Sequence, residues 1–305
     1  MHYLITGGAG FIGSHLADSL LTAGHLVTVL DNLSTGKQEN LAPAVKLIVN
    51  DICDSAAVAK AMDGCDGVFH LAAIASVTKS MEEWAHTHQV NQTGAVIVFD
   101  EAAKRNIPVV YASSAAVFGD NPNLPLTEKS ETKPLSPYGL DKLLCEWQAA
   151  MGARCHGLKS VGLRFFNVYG TRQDPKSPYS GVISILMEKL KNKQPILIYG
   201  NGEQSRDFVH VFDVVKHLVA SMRQLHLGNV SAEIFNVCTH KATSVKELAS
   251  LLIQISNSGS DINHAQERIG DIKHSLGDNT KAKTELKIEA TTTLEDGLTD
   301  TWKKF

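Results

Sequence analysis

A chain of 305 residues, 43% hydrophobic and 20% charged, has the material for one large core or for a sheet domain with a smaller lobe attached. Its 29 basic and 32 acidic side chains leave a net charge of -3, which excludes the broad basic field that holds a nucleic acid. The first apolar stretch, Tyr3 to Thr6, ends in glycines too soon to form a signal peptide or a membrane span, so the expected setting is cytoplasmic.

Tyr3 to Thr6 reads as a buried strand, and it feeds TGGAGFIGSH with glycines at 7, 10 and 13. A strand, a glycine-rich turn and a helix together turn backbone N–H groups and a positive helix end toward a pyrophosphate. Side chains must be absent at Gly7, Gly10 and Gly13 for the phosphates to come close. The spacing is GxxGxxG rather than GxGxxG. Leu16, Leu20 and Leu21 form the buried stripe of that helix, which Gly24 caps. A second strand, Leu26 to Leu30, closes at Asp31, 18 residues beyond Gly13. A carboxylate there binds ribose hydroxyls and repels an additional phosphate, which favours NAD over NADP.

Short apolar runs recur at Leu47 to Val49, Val68 to Leu71, Val109 to Ala112 and Val161 to Phe166, with helical stretches between them. This alternation predicts an α/β fold, a doubly wound parallel sheet of Rossmann type covered on both faces. Ser114 follows the Val109 run, in YASSAAVFG. Ser136-Pro137 then reads as an N-cap and first helical residue, so Tyr138 and Lys142 fall one turn apart on one helix face. A free tyrosine titrates near ~10, and service as a base near neutrality needs about 4 kcal/mol of help; one cation about 4 Å away at an effective dielectric of about 20 supplies that order. Lys142, assisted by a positive nicotinamide ring, meets the requirement, and Ser114 can share a hydrogen bond with the substrate hydroxyl and Tyr138 as the proton moves. A strand serine, then a helical tyrosine and lysine, behind a dinucleotide turn, indicates hydride chemistry at a hydroxyl-bearing carbon.

After Phe166 the pattern changes. TRQDPKSPYSG is a polar, proline-bearing loop, Val182 to Leu190 is helical, and Ile196 to Tyr199 and Glu233 to Val237 are short strands. The expected division is an NAD-binding domain over 1–165, with returns near 207–220 and 233–238, and a smaller C-terminal α/β substrate-binding domain drawn mainly from 166–305. Five cysteines without a CxxC suit reduced thiols; Cys145, near the YxxxK pair, reads as a packed thiol or a reactive one. His86 and His88 point to different faces of a helix with no cysteine beside them, so no metal is assigned.

TGGAGFIGSHL, DNLSTG, the NDI around Asp51, HLAA at 70–73, SSAAVFG, YGLDK, LRFFNVYG, RDFVHV and RIGD resemble, over nearly the whole chain, the extended short-chain dehydrogenase/reductase family and specifically its nucleotide-sugar 4-epimerases. The resemblance implies NAD as cofactor, a UDP-sugar as substrate, and Ser114, Tyr138 and Lys142 as the catalytic set. It places Phe11 and Ile12 with the three glycines, Asp31, Asn32, Ser34, Thr35 and Gly36 at the adenosine ribose, and Asp51 and Ile52 beside adenine. Leu71, Ala72 and Ala73 then line the pyrophosphate channel, with Asn91 and Phe165 also at the cofactor. For the substrate it implies Asn167, Arg206 and Arg268 at the diphosphate, Asp271 on the uridine ribose, Tyr199 against uracil, and Ser76, Val182 and Leu197 as further contacts. Two guanidiniums suit a diphosphate and an aromatic suits a flat base. Taken alone, Arg206 reads as a surface partner of Asp207, and Tyr199 as a core residue.

Ala115 and Ala116 follow Ser114 where 4,6-dehydratases carry an Asp-Glu pair, and the glutamate that decarboxylating relatives place near Ala116 is also absent. Simple oxidation and re-reduction remains. After RIGD, the position that resembles a gate on the sugar pocket falls on Ser275, small enough to admit an acetamido group; a slip of one residue would put it on His274, which would close the pocket. The expected reaction is inversion of C4 of UDP-GlcNAc/UDP-GalNAc, extending to UDP-Glc/UDP-Gal. The alternatives are a UDP-glucose or UDP-glucuronate 4-epimerase and, without catalysis, a nucleotide-sensing binding protein. Such relatives are commonly homodimers joined through two helices per subunit, here those near 81–104 and 138–151.

Overall fold

The structure, a computed structural model, describes residues 1–174, 181–266 and 272–305. The chain opens with β1 (His2–Thr6), α1 (Phe11–Thr22), β2 (Leu26–Asp31), β3 (Lys46–Val49) and α2 (Ser55–Ala61). Next come β4 (Gly67–His70), α3 (Val77–Glu82), α4 (Trp84–His88) and α5 (Gly94–Lys104), the last two joined by a π-turn over Gln89–Thr93. β5 (Val109–Ser114), α6 (Pro137–His156) and β6 (Ser160–Phe165) complete the regular alternation. Beyond it lie β7 (Asn167–Tyr169), α7 (Val182–Lys191), β8 (Ile196–Tyr199), β9 (Ser205–His210) and α8 (Val211–His226). The last elements are β10 (Glu233–Val237), β11 (Ala242–Ser244), α9 (Val245–Ser256), β12 (Ile262–Ala265) and α10 (Leu294–Lys304).

Seven of these strands form one parallel sheet in the order β10-β6-β5-β4-β1-β2-β3. Its inner strands are buried on both faces, β6 at all six positions, which is why they read as continuous apolar runs. On one face Leu16 and Leu20 of α1 and Val214 and Leu218 of α8 share a core with Ile5, Val110 and Leu163. On the other, Val58 of α2, Val98 of α5 and Ala149 of α6 share one with Leu4, Val68 and Val109. The strand order reverses between β1 and β4, so the connections leaving their C-terminal ends diverge and open a crevice.

The smaller lobe holds a three-stranded sheet, β11-β9-β7, and the pair β12-β8, with Ile183, Leu186, Ile196, Leu248 and Leu252 among its core residues. The chain returns to the large sheet twice, as α8 lying over β5 and β6 and as β10 pairing with β6. Residues 207–210 lie in the small sheet instead, because β9 pairs with β7 on one side and β11 on the other.

The start of α6 lies on the side of the sheet where the strands end, and the end of α1 lies on the opposite side, where β1 and β2 begin. At the end of α1, Gly24 has φ +78; its N–H reaches Leu21 O and the His25 N–H reaches Leu20 O, so the turn reverses without stranding carbonyls. α6 starts as its sequence dictates: Ser136 Oγ accepts from Gly139 N at 3.1 Å and Pro137 is the first helical residue. Among the described residues no helix is long and apolar enough to cross a membrane.

Candidate active site

The glycine turn is tight because its neighbours leave no room. A Cβ on Gly7 (φ +70) would lie 2.6 Å from Ala72 N, and one on Gly13 would lie 2.3 Å from Gly7 O and 2.7 Å from Gly8 Cα. Gly10 occupies the N-cap of α1 with no side-chain cap, so no side chain competes for the N–H groups of the Phe11–Ile12 turn. Asp31, 7% exposed, accepts from Ala9 N (2.9 Å) and Leu33 N (2.8 Å). Those two bonds leave its carboxylate with unused lone pairs. Ser34, Thr35 and Gly36 follow, closed onto the glycine turn by Lys37 N bonding Ala9 O at 3.0 Å. A cavity of about 180 Å³ lies between Gly10, Phe11, Thr35 and the 172–174 loop. An uncapped helix start, a crevice at the strand reversal and a carboxylate with spare capacity at the end of β2 fit a dinucleotide.

Further along this groove Asn32 Nδ2 donates to Asp51 Oδ2 at 2.8 Å, and Cys53 N donates to Asp51 Oδ1 at 2.8 Å. Burial alone would raise the Asp51 carboxyl; these bonds outweigh it and hold the group below its ordinary value. Ile52 is buried beside it. Leu71, Ala72 and Ala73 leave the end of β4, and the structure gives Asn91 a specific task there. It sits in the π-turn, 1% exposed, with Oδ1 accepting from Ile74 N (2.7 Å) and Nδ2 donating to Ile74 O (3.1 Å), so it holds the 71–76 loop. Phe165 is 8% exposed, in the core between sheet and α8.

Ser114 terminates β5 and its Oγ accepts from Ala116 N at 3.1 Å, starting a short 3-10 turn. Tyr138 is half-buried, and its hydroxyl makes no hydrogen bond among the described residues; its backbone N donates to Ser80 Oγ at 3.2 Å. Lys142, 4% exposed, donates from Nζ to Ala112 O at 3.0 Å, 6.0 Å from the Tyr138 ring centre. A buried ammonium with one carbonyl partner keeps two N–H groups for a phenolate or a ribose. Below it His70 shares a hydrogen bond with Thr6 Oγ1 (2.8 Å); burial first, then Lys142, push this imidazole down to about 3, so it stays neutral. Cys145 is a packed thiol: it bonds Asn91 O at 3.2 Å, and burial pushes it up to about 11. His88 bonds Asp141 of α6 at 2.7 Å, tying α4 to that helix.

The residues expected at the substrate lie on or beside α3, β7, α7, β8 and β9. On β8, Ile196 and Ile198 face the core, so Leu197 and Tyr199 share the more accessible side. Ser76 caps α3, accepting from Lys79 N at 3.0 Å; Asn167 is exposed on β7, and Val182 opens α7 half-buried. Arg206 Nη1 donates to Ser205 O at 2.9 Å. Its neighbour Asp207 turns to Thr239 N and Oγ1 (both 2.7 Å) and His240 N (3.0 Å), which corrects the reading of the two as a surface pair. His274 lies opposite Ser205 in a parallel bridge and bonds its hydroxyl at 2.9 Å. Ser275 follows, half-buried, its N–H donating to Ser205 O at 3.1 Å. Arg268 and Asp271 lie outside the described residues.

Sequence reasoning missed Ser80, whose hydroxyl holds the first turn of α6, and the loop-holding role of Asn91; neither partner is near in sequence.

A profile of the NAD dependent epimerase/dehydratase family matches residues 3–238. A protein of Methanocaldococcus jannaschii described as a putative UDP-glucose 4-epimerase is 42% identical over 253 residues, covering 82% of this chain and 80% of that one. The crystal structure of UDP-glucose 4-epimerase with UDP-glucose from Thermotoga maritima superposes with a TM-score of 0.95 at 36% identity, covering 100% of this chain and 98% of that one. UDP-N-acetylglucosamine 4-epimerase from Methanobrevibacter ruminantium M1, in complex with UDP-N-acetylmuramic acid, gives 0.94 at 37% identity, covering 99% and 97%.

Proposed function

This chain belongs to the NAD dependent epimerase/dehydratase family, as an NAD-dependent enzyme of UDP-sugar 4-epimerase type, and we propose that it inverts C4 of UDP-GlcNAc and UDP-GalNAc, with UDP-glucose and UDP-galactose as further substrates. The observation that carries the reading is the placement of Ser114 at the end of β5 with Tyr138 and a buried, tethered Lys142 on the facing helix. When bound, NAD supplies a hydride acceptor that is restored by the end of each turnover.

The chain's own residues do the rest. Gly7, Gly10 and Gly13 admit the pyrophosphate, and Asp31 takes ribose hydroxyls on its unused lone pairs. Tyr138, as phenolate held by Lys142, accepts the proton of the sugar 4-hydroxyl while Ser114 bridges the two oxygens. C4 loses hydride and becomes a 4-keto sugar. The sugar then turns about its diphosphate link, C4 regains hydride on the opposite face, and Tyr138 returns the proton. Arg206, with Tyr199 on the base, holds the uridine diphosphate firmly while the hexose is held loosely, as a rotating intermediate requires.

Ser275 supports the N-acetyl preference through its small side chain, while its neighbour His274 is engaged with Ser205. The M. ruminantium structure favours the same reading. A UDP-glucose 4-epimerase without N-acetyl preference is the second reading, favoured by the M. jannaschii and T. maritima proteins. Separate incubation with UDP-GlcNAc, UDP-glucose and UDP-glucuronate, with C4 stereochemistry read by NMR, decides between them. Inversion of UDP-GlcNAc is expected; turnover of UDP-glucose alone favours the second reading, and bound NAD without any turnover makes the chain a binding protein.

We also propose a homodimer. Met81, Trp84, Leu140, Trp147 and Met151 form exposed apolar surface on α3, α4 and α6, with Trp84 66% and Trp147 57% exposed. Sedimentation as a monomer at micromolar concentration would remove this part.

A further inference from the structure

Tyr138, Lys142 and Glu146 stand at four-residue intervals on α6 and so share one face. Lys142 reaches Ala112 O of β5, and one turn later Glu146 reaches the next residue of that strand: Ser113 Oγ donates to Glu146 Oε1 at 2.5 Å. The same carboxylate accepts from Arg164 Nε at 2.9 Å and Nη2 at 2.7 Å. Arg164 lies directly opposite Ser113 in the β5–β6 ladder, so the helix docks on two adjacent strands through a single side chain. The pair is buried, Arg164 5% and Glu146 6% exposed. Arg164 also donates to Glu128 O at 3.1 Å and lies 4.7 Å over the Phe118 ring, which ties in the segment that follows Ser114.

A buried ion pair is seldom more stabilising than apolar residues of the same volume. A two-pronged guanidinium–carboxylate contact does, however, fix angle and register as apolar packing does not. We propose that Glu146, clamped by Arg164 and Ser113, is a positioning residue that seats α6 on β5 and so sets how Tyr138 and Lys142 face Ser114. It touches neither substrate nor cofactor and acts through the helix. The inference rests on the reading of Tyr138 as the base, and its test separates the two.

Three changes probe it in the NAD-loaded protein: Glu146→Gln, Ser113→Ala, and the double change Glu146→Leu with Arg164→Met. Each is expected to lower kcat about tenfold, because a displacement of about 1 Å is enough for a larger loss. KM for the UDP-sugar should stay within about twofold, and amides in the first turns of α6 should exchange faster with deuterium. The double variant is expected to melt at or above the wild-type temperature, separating seating from stability. Wild-type kcat and exchange in a double variant of wild-type Tm would overturn the proposal, as would a rise in KM at unchanged kcat. Should Glu146→Gln fail to fold, the other two variants decide. Absence of turnover in the wild type would sink the base reading alone, since exchange in α6 still judges the seating.

Discussion

On the proposed mechanism, Lys142 matters less for its charge than for where that charge is fixed. Free in solvent its ammonium would wander over four rotatable bonds; here it is buried and bonded to Ala112 O, facing the Tyr138 ring. The spacing of Tyr138 and Lys142 was legible because a helix converts four residues into one turn. The duties of Ser80 and Asn91 were not, because each contacts a residue brought close only by the fold: Ser80 reaches Tyr138 and Asn91 reaches Ile74. Tyr138→Phe removes one hydroxyl that has no protein partner among the described residues, so the variant should fold and retain NAD. Its kcat should fall by a factor of about 10² to 10⁴, checked by turnover beside cofactor absorbance; unchanged turnover would take Tyr138 out of the mechanism. Ser275→Tyr should suppress turnover of N-acetyl substrates while sparing UDP-glucose, measured as kcat/KM on each. Equal loss on both would count against the gate.

Among the elements, α6 is the one that would carry the proposed chemistry, and its Ser-Pro start is a local signal legible in the sequence; the structure ends it at Gly157 in the left-handed conformation (φ +70). The parallel sheet was legible too, because strands buried on both faces become unbroken apolar runs. The small sheets were not. β7 and β11 have three residues each, too few to show a period, and both pair with β9, so what forms them is the contact rather than their own propensity. Ser136→Ala deletes the cap bond to Gly139 N and is expected to cost about 1 kcal/mol, a Tm lower by roughly 2–3 °C in a melt followed by circular dichroism. An unchanged Tm would mean that Pro137 and the packing of α6 hold the helix start without the cap.

For the molecule as a whole, burial of histidines ties stability to pH. His70 in the fold titrates near 3, far below its unfolded value of about 6.5. Its contribution is therefore complete above about pH 6.5 and is lost as pH falls toward 3, because the unfolded chain takes a proton that the folded one refuses. By pH 5 this amounts to about 2 kcal/mol. His15, His210 and His217, lowered chiefly by burial, act in the same direction. Urea midpoints should fall between pH 7 and pH 5, and His70→Gln should flatten that slope; an equal slope in the variant would acquit His70. The crevice follows from the reversal between β1 and β4, which no single segment announces. What the whole assembly is held to do is oxidise C4 and rebuild it inverted with the same hydrogen. The most direct test is to convert UDP-GlcNAc bearing deuterium at C4 in ordinary water and examine the product by NMR. The account predicts inverted product with deuterium retained at C4, whereas inversion with deuterium washed out to solvent would contradict it.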